Sequence, residues 1–212
     1  VANFQNGFSS ISVPSVLATL VSDELHFPNL SMVGVDDRAA AHTAVAHLIA
    51  QGHSKIAVLG GPATSFPSRM RRLGAQDAME QAGLTFDDRL YGLSNYDFES
   101  AYHAMNSLLA RRAEFTALFA MSDVIAFGAI RALVSAGFRV PQDVSVIGFD
   151  GITMSRYCVP VMTTIVQPSE QIALQSIELL INQIEHGAPA QTITLQPELQ
   201  QGESVCPCRH PL

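Results

Sequence analysis

With 212 residues, nearly half of them apolar and 15% charged, the chain can bury a sizeable core in one large domain or two lobes. No low-complexity tract marks it as a linker. A net charge of −7 with only 12 Lys+Arg, scattered apart from Arg69, Arg71 and Arg72, excludes a phosphate-neutralising surface, so this chain alone is not a DNA-binding module. Three cysteines suit a reducing cytosol better than a disulfide framework. No apolar run reaches the roughly 18 residues that span a bilayer, and Val1-Ala2-Asn3-Phe4-Gln5 lacks the basic-then-apolar start of a secretory signal.

In chain order, β-rich apolar runs predict strands at Val13–Ala18, Ser31–Val35, Lys55–Leu59, Leu90–Leu93, Ala117–Ala120, Val144–Gly148, Thr163–Val166 and Thr192–Leu195. Between them, Ala41, Val45, Leu48 and Ile49 share one face of a helix that stops at Gln51-Gly52-His53, where glycine supplies a left-handed cap. Further helices fit roughly 68–82, 98–112, 124–137 and 169–186, the last with Ile172, Ser176, Leu179, Leu180 and Ile184 as its buried stripe. Strand, loop and helix repeat as βαβ units of a parallel sheet. The first two strands follow one another without a helix, and residues from about 163 onward read as a return to the sheet begun at the N-terminus. The pattern predicts two lobes joined by several crossings.

Six phrases stand in fixed order: Val33-Gly34-Val35-Asp36-Asp37, His47 to Ala57, Arg69 to Gly74, Ser122 to Ala129, Val140 to Asp150, and Pro160 to Pro168. In that order, over roughly 170 residues, the chain resembles the lactose/galactose-repressor family of transcriptional regulators. The resemblance implies an α/β, periplasmic-binding-protein-like fold: two doubly wound parallel-sheet lobes with an effector cleft between them, joined by three crossovers near Asp36-Asp37, Thr164–Gln167 and Thr192–Leu195. Residues 1–36 with 165–191 would form a partial N-terminal lobe, 37–164 with 192–205 the C-terminal lobe, and 206–212 a tail. In the family a helix-turn-helix headpiece and the first strand–helix units precede the part matched here. No paired helices with a turn are legible in the first 36 residues.

In an open parallel sheet, the loops at the carboxyl ends of strands face the ligand. Arg69 and Arg71 follow the strand ending at Leu59, and Arg71 offers a planar fork of donors suited to paired hydroxyls or a carboxylate. Asp150 closes the strand ending at Phe149, which packs beneath it, and reads as a hydroxyl acceptor or a helix cap. Ser122 and Asp123 end another strand and open a helix, so Asp123 reads equally as effector ligand or N-cap. Tyr96 could stack on a pyranose face while Phe98 packs in the core, and the Gln167 amide lies on a crossover. The resemblance implies that Arg71 and Asp150 grip the effector. It also marks departures: Ser122 where the family often has Asn, Gly151 where it often has a second acid, and Gly202 where it has Arg, so the last strand could end early and the tail be disordered.

The tail Cys206-Pro207-Cys208-Arg209-His210 supplies at most three soft ligands and is not read as a metal site. Cys158 reads as buried and inert. No nucleophile elbow, phosphate loop or zinc helix occurs, and no cofactor is implied. The expectation is therefore a cytoplasmic, non-enzymatic sensor of a small effector, a sugar or sugar derivative. It would be homodimeric and meet operator DNA only through a headpiece. The rival is a periplasmic sugar-binding protein for import.

Overall fold

The computed structural model describes residues 12–25 and 27–208. The chain divides into two units, residues 1–36 with 167–197 and residues 37–166 with 198–212, so it passes between them three times.

The first unit is a three-stranded parallel sheet of order β1-β2-β8, from β1 (Ser15–Ala18), β2 (Leu30–Val35) and β8 (Thr192–Leu195). Every residue of β2 is buried, as the central strand of a sheet covered on both faces requires. Helix α5 (Ser169–His186) packs on β1 and β2, with Ile172 and Leu179 against Val33 and with Val16, Ile193 and Leu195 around them. Gln183 completes its buried side and accepts from the Ser31 hydroxyl at 3.1 Å. Ile184 departs from the expected stripe: it is 63% exposed, in a second row with Leu174, Ile177 and Ile181. Two apolar rows lie on this helix, and periodicity alone does not say which one the sheet takes.

The third passage between units differs from the sequence reading. Strand β8 pairs with β2 (Met32↔Thr192 to Val35↔Leu195), so residues 192–197 belong with the N-terminal segment. A ninth strand, β9 (Glu198–Gln200), which apolar patterning did not reveal, opens the return to the second unit.

The second unit is a six-stranded sheet of order β4-β3-β5-β6-β7-β9, built from β3 (Ile56–Gly60), β4 (Tyr91–Leu93), β5 (Ala117–Ala120), β6 (Ser145–Asp150), β7 (Thr163–Val166) and β9. All neighbours are parallel except the edge strand β9. The central strands are continuous apolar runs because both faces are covered. Ala57, Leu59, Leu118, Ala120 and Val146 face α3 (Phe98–Ala110) and α4 (Asp123–Ser135) in one core. Their alternates lie on the other face, where α1 (Asp37–Ala50) packs on β5, β6 and β7 and α2 (Phe66–Gln81) packs on β3. This is a doubly wound α/β arrangement.

After β9, the segment expected to be loose is tied down as far as Cys208. Ser204 Oγ donates to the Val146 carbonyl at 2.6 Å, the Cys206 amide to Ser145 Oγ at 3.1 Å and the Cys208 amide to the Gln51 carbonyl at 2.8 Å. Arg209 and His210 lie outside the described residues, as do Val1–Gln5.

Candidate functional site

The carboxyl ends of β3, β4, β5 and β6 carry the polar groups of the second unit. Ser65 caps α2 by accepting from the Ser68 amide, and Pro67 sits in the helix's first turn, where a missing N–H costs nothing. In the helix's second turn, Arg71 is only 5% exposed. Its Nε donates to Asp37 Oδ1 at 2.7 Å, and Nη1 donates to the Met121 carbonyl at the end of β5. The guanidinium carbon lies 3.6 Å from the centroid of the Phe149 ring, a cation–π stack, and Nη1 is 3.6 Å from Asp150 Oδ1. Burial works against the charge, but the Asp37 and Asp150 carboxylates outweigh it and hold the guanidinium above its ordinary pKa. Nη2 makes no hydrogen bond to the described residues.

Asp150 has 26% of its side chain exposed. It holds φ at +114°, which costs an L-residue about 1–3 kcal/mol. Gly151 follows at φ +71°, where a Cβ would come within 2.7 Å of Val166 Cγ2, so the second acid seen in the family does not fit here. Tyr96, also at positive φ, lays its ring on the Gly61 backbone and brings its hydroxyl within 3.5 Å of Ser65 Oγ. Arg71 and Asp150 thus meet beside Phe149, and Tyr96 lies on the Gly61 turn after β3.

The other candidates fall elsewhere. Arg69 lies over the Phe66 ring, 5.2 Å from its centroid. Ser122, expected to read an effector hydroxyl, is buried and caps α4 by accepting from the Ile125 amide at 3.1 Å. Asp123, expected as ligand or cap, is not the cap of α4: it is 0% exposed, with both oxygens bonded inside the unit. Gln167 belongs to the first unit. Phe98 is 49% exposed and not a core residue. Arg72 stacks 4.4 Å over Tyr91 and pairs with Asp88 at 2.8 Å.

Sequence reasoning missed Asp37, which appeared only as the end of a phrase next to a crossing; its partner Arg71 lies 34 positions away. Among the described residues, no group of three or more His, Cys, Asp or Glu is placed to hold a metal ion. Cys206 and Cys208 instead border His53, whose Nε2–H donates to the Cys206 carbonyl at 3.0 Å while the Thr116 hydroxyl donates to Nδ1. Burial pushes the His53 pKa below its ordinary value, against that carbonyl contact. Burial likewise pushes the Cys158 thiol up, keeping it protonated.

The chain matches a family model described as a periplasmic binding protein-like domain over residues 45–205. A solved Escherichia coli sugar-binding transcriptional regulator of the LacI family, complexed with phosphate, is 30% identical at a TM-score of 0.81, over 98% of this chain and 73% of that one. A complex of the transcriptional regulator CelR with cellobiose is 27% identical at a TM-score of 0.82, over 96% of this chain and 69% of that one. The HTH-type transcriptional regulator MalR of Clostridium butyricum is 34% identical over 94% of this chain, which spans 60% of MalR's length. The chain belongs to the LacI family.

Proposed function

We propose that the chain is the effector-sensing part of a LacI-family transcriptional regulator, taking a small polyhydroxylated ligand, a sugar or sugar derivative, at the Arg71–Asp150 cluster. The observation that supports it is the half-used guanidinium: Asp37, Met121 and Phe149 fix Arg71 rigidly, while Nη2 and the part-exposed Asp150 present a donor beside an acceptor. That pairing matches the vicinal hydroxyls of a sugar. Held by buried partners, it needs little reordering on binding, which favours affinity. Tyr96 adds an aromatic edge. A relative solved with cellobiose and another described as sugar-binding agree in chemistry. Ligand affinity and operator affinity would be linked reciprocally in the whole regulator. The reading requires no catalysis and carries a cytoplasmic location; among the described residues, no helix is long and apolar enough to cross a membrane.

Calorimetric titration with a panel of mono- and disaccharides and their phosphates, cellobiose included, tests the proposal. Asp150→Asn keeps the size of the side chain and removes its charge, and is expected to weaken the best ligand by about ten- to a hundredfold, the worth of a charge-assisted hydrogen bond. Absence of any saccharide binding, or unchanged affinity in Asp150→Asn, would remove it.

The same reading carries a homodimer. Met154, Tyr157 and Val159 form an exposed apolar surface between β6 and β7 of the second unit, supporting such an association. In sedimentation velocity, Tyr157→Asp should shift the protein toward monomer; an unchanged dimer fraction would place the interface elsewhere.

A further inference from the structure

Asp123 is buried without being used by the effector cluster. Its Oδ2 accepts the Ile152 amide at 2.8 Å, and the Gly151 amide also donates to the carboxylate. Its Oδ1 accepts the Thr164 hydroxyl from β7 at 2.6 Å. The neighbouring strand is shaped to admit it: a Cβ on Gly148 would fall 2.2 Å from Asp123 Oδ1. One carboxylate therefore ties the start of α4, the turn after β6 and the middle of β7 together. The residue that turn carries, Asp150, holds the unfavourable φ of +114° and faces Arg71. A strained backbone persists only where its surroundings over-determine it, and the acceptor that fixes this turn from its C-terminal side is Asp123.

We infer that Asp123 is a positioning residue: by clamping Gly151 and Ile152 it holds the Asp150 carboxylate opposite the Arg71 guanidinium, without touching ligand itself. The inference rests on the proposed effector site only in taking Asp150 as the ligand acceptor. Keeping a carboxylate here is unfavourable to the fold. Burial pushes its pKa up to about 6, against the Thr164 and Ile152 hydrogen bonds, and the Asp150 carboxylate adds to the rise. The ionisable groups that face it are Asp150 from β6 and the Cys158 thiol from the segment after the turn. A group whose folded pKa lies above its unfolded value of 3.8 contributes stability below that value and loses it as pH rises through about 6. The ionised form that best accepts the two amides is thus the less stable one for the fold. Protonation below pH 6 should loosen the turn.

The test reads amides and needs no ligand, so its outcome is independent of whether a saccharide binds. In the intact ¹⁵N-labelled chain, the Gly151 and Ile152 amide shifts and the Arg71 Nε–H shift should titrate together with a midpoint near 6. Asp123→Asn should abolish that step and speed Ile152 exchange on the order of tenfold or more, leaving core amides such as those of Phe119 and Val146 protected. Uniformly faster exchange would mean a merely structural role and would overturn the inference, as would an unchanged Ile152 and Arg71. Should Asp123→Asn fail to fold, Thr164→Val decides. Losing a hydrogen bond to the ionised form must raise the midpoint, and a midpoint that stays put overturns the clamp.

Discussion

Replacing Asp37 with Ala should lower the stability of the second unit by about 3–5 kcal/mol, because it removes the carboxylate hydrogen-bonded to the buried Arg71 guanidinium and leaves Asp150, 3.6 Å away, as its remaining counter-charge. The side chains of this pair are 6% and 2% exposed, so water cannot take over the role of the lost carboxylate. The loss exceeds the interaction's net worth: bringing both ions out of water already offsets most of their attraction. Removing both charges with Asp37→Leu and Arg71→Met should therefore recover much of the stability while abolishing ligand binding. Urea denaturation of the two single variants and the double variant, closed as a cycle, measures the coupling. A cost below about 1 kcal/mol for Asp37→Ala would show that the pair is solvated, as exposed pairs are. The single variant has a functional consequence as well. With Asp37 gone, the nearest carboxylate to Arg71 is Asp150 at 3.6 Å, and a direct pair between them would use up the groups offered to a ligand.

What the sequence showed and what it hid divide along physical lines. A strand such as Ala117–Ala120 was legible because a strand buried on both faces must be apolar throughout, which is a local property. Strand β8 was equally legible, yet its sheet was not: pairing with β2 across about 160 positions leaves no mark in its four residues. Strand β9, Glu-Leu-Gln, offers one apolar residue and no period. The Ser122 and Asp123 roles were missed for a different reason. Both residue types cap helices, and a helix start read from pattern is uncertain by a residue or two. The single step that makes Ser122 the cap turns Asp123 into the sheet, where Gly148 makes room. Arg71 was found through the strand-end rule and the resemblance, but its burial depends on Asp37 and Phe149, which come from other elements.

The second large effect is expected at Gly74 on α2, three residues after Arg71. In an isolated helix, Gly→Ala is stabilising by about 1 kcal/mol. Here the sign should reverse. A Cβ on Gly74 would lie 2.0 Å from the Arg38 carbonyl oxygen, 2.9 Å from the Arg38 carbonyl carbon and 3.0 Å from the His42 nitrogen, all backbone atoms of α1. No side chain can swing aside, so α1 and α2 must separate along the line where they pack. Overpacking of this kind costs about 3 kcal/mol at the upper end of its range. The exposed Arg38–Asp77 pair spanning the same two helices is too weakly held to resist it. Because Asp37 opens α1 and Arg71 lies on α2, the separation also stretches the 2.7 Å contact that orients the guanidinium. Gly74→Ala should thus lose stability in urea and ligand affinity in calorimetry together, although residue 74 is buried against α1. A variant as stable as the parent would mean that the helices do not cross this closely, and affinity lost without stability would point to a local effect on Arg71 alone.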